Sequence, residues 1–160
     1  MQQQPLGAAS VRSIADTARG ELLATVDIAA PPERVFRALC SDEITRWWVR
    51  DGVFDTRTWE GEVKSGGRWR AAGVARGEAY VLEGEFLEVS APRRLVHSWH
   101  LAGMGLPTTT VRYALEPIDG GTRITLRHTG FSNTDVCEQT SIGWETSFRA
   151  LAALLAPATV

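Results

Sequence analysis

The side chains placed to do chemistry are few: His97 in "RLVHSWHL", His128 in "TRITLRHTGF", Ser141 in "QTSIGWETSF", and Tyr80 and Tyr113 on two further strand-like segments. Imidazole titrates near neutrality, which suits it to moving a proton. Both histidines alternate in phase with apolar residues. Leu95, His97, Trp99 and Leu101 share one face of a strand, and Ile124, Leu126 and His128 share one face of another. A hydrogen-bonded core histidine and an acid–base or ligand-contacting one both fit that placement. No G-x-S-x-G elbow or other hydrolase signature accompanies them. His97 and His100 fall on opposite faces of one strand, so a shared metal ion is not expected. No Cys/His cluster has zinc spacing, and neither metal nor cofactor is expected.

Around these polar groups stand six tryptophans, Trp47, Trp48, Trp59, Trp69, Trp99 and Trp144. Each indole buries on the order of 150–250 Å². Rings spread over so many segments either build one thick aromatic core or line one cavity. Trp47 and Trp48 are adjacent and cannot both face inward from a helix, so one is expected to pack and the other to lie at a cavity rim.

The elements that hold these residues follow from periodicity. "ELLATVDI" (21–28) reads as a strand with Leu23, Val26 and Ile28 inward. In "APPERVFRALC" the prolines stop the strand, Pro32 suits the first helical position, and Val35, Phe36 and Leu39 form an apolar stripe. Ser41 is placed to cap a second short helix, "DEITRWW". A run of strands follows: Trp69 and Ala71 oppose Arg68 and Arg70; Tyr80, Leu82, Gly84 and Phe86 share a face; Val111, Tyr113 and Leu115 point inward; and "DGG" marks a hairpin. Arg68, Arg70, Arg123 and Arg127 are expected on a solvated outer face. Near the C-terminus, Asp135 and Glu138 resemble a capping box. Cys137, Ser141, Trp144, Phe148, Leu151 and Leu155 then form one helical stripe, which Pro157 ends.

The expected fold is α+β: a curved antiparallel sheet of about six to seven strands wrapped on a long C-terminal helix, with two short helices after the first strand. Residues 1–13 are expected to form a disordered tail and residues 14–156 a single domain.

Composition narrows the partners. The 160 residues carry 17 Lys plus Arg and 19 Asp plus Glu, so 17 − 19 gives a net charge of −2. That balance argues against nucleic acid as a partner. No apolar run approaches the roughly 20 residues that span a bilayer, so no membrane insertion is expected. The start, "MQQQPLGAAS", lacks the basic and apolar regions of a signal peptide, and a cytoplasmic location is expected. The two cysteines, Cys40 and Cys137, belong to no CxxC pair. Two free, largely buried thiols are expected, with a disulfide or a reactive thiol as the alternatives.

The order and spacing of "DIAAPPERVFRAL", "EITRWW", "SGGRWR", "APRRLVHSW", "GGTRITLRHTGF" and "GWETSFRALAALL" resemble the START-like, or SRPBCC, superfamily with its helix-grip fold, also seen in birch-pollen-allergen proteins. Within it the chain is similar to the branch of heat-shock-protein-90 ATPase activator homologues, over about Ile14 to Leu155. That branch commonly continues the Trp-Trp pair with Gly-Pro, whereas this chain has Val49 and Arg50. The resemblance implies a deep pocket between sheet and long helix for apolar or aromatic small molecules. It fixes no activity, because relatives include ligand carriers, polyketide cyclases, stress proteins and resistance proteins. The eukaryotic co-chaperone also has a separate chaperone-binding domain, for which this length leaves no room.

These readings converge on an intracellular binding protein for a hydrophobic or aromatic small molecule, lipid-like or polyketide-like. The expected ligand contacts are Trp48, Trp59, Trp69, Tyr80, His97, Trp99, Met104, Tyr113, His128, Ser141, Trp144 and Phe148. Met104 sits in the glycine-flanked loop "LAGMGLP", which reads equally as a gate and as an ordinary mobile loop. One rival is a cyclase- or dehydratase-type enzyme in which His97 or His128 moves a proton. Another is a module that stimulates a chaperone ATPase. A homodimer is left open.

Overall fold

The computed structural model describes residues 11–157. Its elements run β1 (Arg12–Asp16), β2 (Glu21–Ile28), α1 (Pro32–Leu39), α2 (Ile44–Trp47), β3 (Val49–Arg50), β4 (Phe54–Gly61), β5 (Arg68–Ala75), β6 (Glu78–Ser90), β7 (Arg94–Leu101), β8 (Thr109–Ile118), β9 (Gly121–Thr129) and α3 (Thr134–Leu155). The strands form one sheet in the order β1-β2-β9-β8-β7-β6-β5-β4-β3, with every neighbouring pair antiparallel. It is a helix-grip α+β fold.

Nine strands replace the expected six to seven. The additions are β1, which starts inside the segment expected to be a tail, and the two-residue β3. Residues 1–10 of that tail lie outside the described residues. Neither added strand has a clear alternation, because both are short edge strands recruited by a neighbour's unpaired backbone. In β2 the inward residues are Leu22, Ala24, Val26 and Ile28, whereas Leu23 is 48% exposed. Val26 and Ile28 set the phase, and of two adjacent leucines only Leu22 shares it.

The short helices also differ in detail. α2 ends at Trp47, and Trp48 leaves helical geometry at φ −82°, ψ 67°. Both indoles are therefore buried, at 0% and 4% exposure: the helix-face argument does not reach a residue one step beyond the helix. Trp47 Nε1–H donates to the Ala38 carbonyl at 2.9 Å. Arg34 clamps Glu43 with two hydrogen bonds of 3.0 and 2.6 Å, tying α1 to the turn before α2. Ser41 does not cap α2 as expected: Glu43 holds the N-cap position without a side-chain cap bond, and Ser41 Oγ instead accepts from the Glu43 N–H in the turn before the helix.

Asn133, not the Asp135/Glu138 pair, caps α3: its side-chain oxygen accepts from the Val136 N–H at 3.0 Å. The helix starts two residues earlier than the acidic pattern suggested, and Asp135 falls in its first turn, where the dipole favours it. The stripe from Cys137 to Leu155 is buried as its spacing requires.

α3 approaches the backbone of β1 and β2 at one edge of the sheet, and of β3 with α2 at the other. The central strands stand further off because the sheet curls. Bulges at Thr56/Thr58 and Phe86/Glu88 contribute to that bending. Gly84 allows a close approach on the concave side. A Cβ there would sit 2.1 Å from the Ser98 carbonyl oxygen and 2.6 Å from Trp69 Nε1. Trp69 uses the space to donate its N–H to Ser98 O at 3.2 Å.

Candidate functional site

Large rings fill part of the gap between α3 and the central strands, and they leave a cavity of about 520 Å³. Trp48, Trp99 and Trp144 form its inner wall, at ring-centroid separations of 5.2 Å (Trp48–Trp99), 5.5 Å (Trp99–Trp144) and 6.2 Å (Trp48–Trp144). Phe54, Leu82, Leu101 and Phe131 extend the apolar surface, and Tyr80 hydrogen-bonds Thr56 on the wall. Met104 lies on the wall and is 63% exposed. Opposite, α3 presents Gly143, the only glycine of that helix, together with Ser147. A Cβ on Gly143 would meet only the Phe54 ring, at 3.8 Å.

A polar relay runs from the wall into the core: its two ends, Trp144 and Thr109, line the cavity, and His128 lies between them, fully buried. Trp144 Nε1–H donates to His128 Nδ1 at 3.1 Å, and His128 Nε2 lies 2.6 Å from Thr109 Oγ1. Indole is donor-only, so Nδ1 carries the lone pair and Nε2 the proton. Thr109 in turn donates to the Trp99 carbonyl at 3.3 Å. Both nitrogens of His128 are thus engaged within the protein. Burial drives its pKa well below the ordinary 6.5, and His97 works in the same direction. His97 donates Nδ1–H to Ser98 O at 2.9 Å, and burial lowers its pKa to about 4. It packs between Trp69 (5.0 Å) and Tyr113 (5.9 Å).

Of the residues read from the sequence as ligand contacts, the cavity wall takes Trp48, Tyr80, Trp99, Met104 and Trp144. The other seven stand away from it. His97, His128 and Tyr113 lie in the core behind the rings, and Trp69 is held over Gly84. Phe148 packs against Trp47 and Trp144. Ser141 faces β1, where its hydroxyl meets that of Ser13 at 2.6 Å. Trp59 is half-buried over Gly61. Alternation identifies the concave face, but it does not say which concave residues another ring covers.

Sequence reasoning missed Arg50, Phe54, Arg76, Phe131 and Gly143 on the wall. A signal was present for Gly143, since a lone glycine inside a helical pattern asks for a reason. Both cysteines are buried and free. Cys40 donates its thiol to the Phe36 carbonyl at 3.3 Å, and burial raises its pKa to about 11, which leaves it unreactive. Among the described residues no group of three His, Cys, Asp or Glu is placed to hold a metal ion, and no helix is long and apolar enough to cross a membrane.

The geometry agrees with known folds. A protein from Chromobacterium violaceum superposes with a TM-score of 0.80 at 25% identity, over 87% of this chain and 99% of its own. A Mycobacterium smegmatis protein gives a TM-score of 0.79 at 21% identity, over 94% and 99% of the two chains. The AHSA1 protein of Silicibacter pomeroyi gives a TM-score of 0.72 at 22% identity, over 84% and 96%. No curated protein matches the sequence. The family model described as "Activator of Hsp90 ATPase homolog 1-like protein" matches residues 29–156. The chain belongs to that family.

Proposed function

We propose that this protein binds an apolar, ring-containing small molecule between α3 and the central strands. The observation that carries the reading is the cavity itself: about 520 Å³ walled by three indoles and left open by a chain with ample aromatic bulk to fill it. Small-molecule pockets occupy this size range and combine apolar walls with a few placed polar groups. The site binds rather than turns over its ligand, because His97 and His128 sit behind the wall with His128 held on both nitrogens.

The test is tryptophan fluorescence titrated with aromatic and acyl small molecules, with thermal shift in parallel. Saturable quenching with a raised Tm is the expected result, since a ligand that binds only the folded state stabilises it. Gly143→Leu makes the test specific to the cavity. The new side chain starts in open space on the wall and takes up cavity volume, so affinity falls by at least about tenfold, or 1.4 kcal/mol. Leucine is the better helix former by up to about 1 kcal/mol, so the variant keeps or raises its stability in the absence of ligand. A panel without any response, or a Gly143→Leu variant that binds as wild type does, overturns the reading.

A further inference from the structure

We infer that the ligand of this cavity is a monoanion, a carboxylate on an apolar ring-bearing body, whose head is received by Arg50 and Arg76. This rests on the binding reading above and adds the charge and position of the head group. Both arginines are wall residues. They occupy one corner, because the Val53 N–H donates to the Arg50 carbonyl at 2.9 Å and the Arg76 N–H donates to the Val53 carbonyl at 2.8 Å.

Arg50 is half-buried, yet no carboxylate lies within salt-bridge distance of it among the described residues. Arg34, whose side chain is 31% exposed, shows the usual solution, a carboxylate (Glu43) held by two hydrogen bonds. A partly desolvated guanidinium without a counter-charge is costly, and a planar bidentate acceptor relieves it.

Arg76 supplies an independent observation. It sits at φ 51° in the two-residue β5–β6 turn, followed by Gly77 at φ 82°. Such turns favour Asn-Gly, and an arginine in the left-handed region gains the turn nothing. What it gains is a cation at the cavity mouth.

Asp135 is the carboxylate on the wall. It lies in the first turn of α3, where the positive end of the helix dipole offsets it. Two cations against one carboxylate leave a single positive charge, which matches a monoanion. Apolar walls focus that charge on whatever enters.

The probes are naphthalene-acetic acid and its methyl ester, alike in ring system and opposite in head charge. Each is titrated at neutral pH into the full chain, into Arg50→Gln and into Arg50→Gln/Arg76→Gln. Wild type is expected to bind the acid about tenfold more tightly than the ester, and the double variant by less than about twofold. Raising the salt weakens the acid and leaves the ester unmoved. Arg50→Lys keeps part of the preference, and an unchanged Tm for each variant without ligand confirms that the fold is intact.

If acid and ester bind alike in wild type, or the acid keeps its advantage in the double variant, the head-group inference is overturned while the binding reading stands. If neither probe binds wild type while neutral members of the fluorescence panel do, the head-group inference alone is overturned; a whole panel without response overturns both.

Discussion

Acidification from pH 7 to pH 5 is expected to remove about 2 kcal/mol of stability through His97 alone, because its pKa falls from 6.5 to about 4 on folding. The sign follows from proton binding. Below pH 6.5 the unfolded chain takes up a proton that the folded state refuses, so stability drops as pH falls and levels off below about 4. His128 acts in the same direction, since burial lowers its pKa as well and its two nitrogens are already engaged. With both histidines unprotonated in the fold, the slope approaches twice the single-proton value of about 1.4 kcal/mol per pH unit. Glu43, lowered below 4.5 by its hydrogen bond to Arg34, adds its loss only at more acid pH. On the alkaline side Cys40, raised from 9.0 to about 11, costs stability as pH climbs above 9.

Urea unfolding at stepped pH measures the slope. His97→Phe keeps an aromatic ring among Trp69, Phe86 and Tyr113 and removes the titration. Its pH dependence should be shallower by one proton between pH 6.5 and 4. An unchanged slope in that variant would place the acid-sensitive group elsewhere.

How far the sequence reached depends on which physics set each feature. β8 and β9 alternate cleanly, and Tyr113, Leu115, Ile124 and Leu126 are all buried as their phase requires. The stripe of α3 was legible for the same reason: 3.6-residue periodicity is written locally. Placement of Trp48 was not, because it depends on where a four-residue helix stops. The cavity wall was legible only in part. Trp99 and His97 share a face of β7, but Trp99 reaches the cavity while His97 is enclosed by Trp69 and Tyr113. That difference lies in strands far apart in sequence. Arg50 and Arg76 escaped notice for a related reason: a two-residue strand and a hairpin tip carry no periodicity, and it is the β3–β4–β5 pairing through Phe54, with the Val53 backbone bonds, that brings them together.

Trp144→Ala is expected to cost about 3–5 kcal/mol, in the range of buried Trp or Phe truncations, and to abolish binding of the aromatic probes. This ring does three things at once. It seats α3, packing on Tyr113 of β8 at 6.0 Å and on Trp47 of α2 at 6.4 Å. It forms the cavity wall with Trp48 and Trp99. It also donates to His128 Nδ1 and so holds the proton on Nε2, facing Thr109. Trp144→Phe separates these roles. The ring and most of the packing remain, but Nδ1 loses its donor at a buried site, which costs about 1–3 kcal/mol. Urea unfolding should therefore rank wild type, Trp144→Phe and Trp144→Ala in falling stability, while probe titration should leave the phenylalanine variant weakened and the alanine variant silent. A molecule bound on Trp144, as proposed above, would thereby be coupled to the fold, since the same indole holds His128. A Trp144→Ala protein that unfolds within about 1 kcal/mol of wild type would show that the other buried residues of α3, Phe148 and Leu151 among them, seat the helix without this ring.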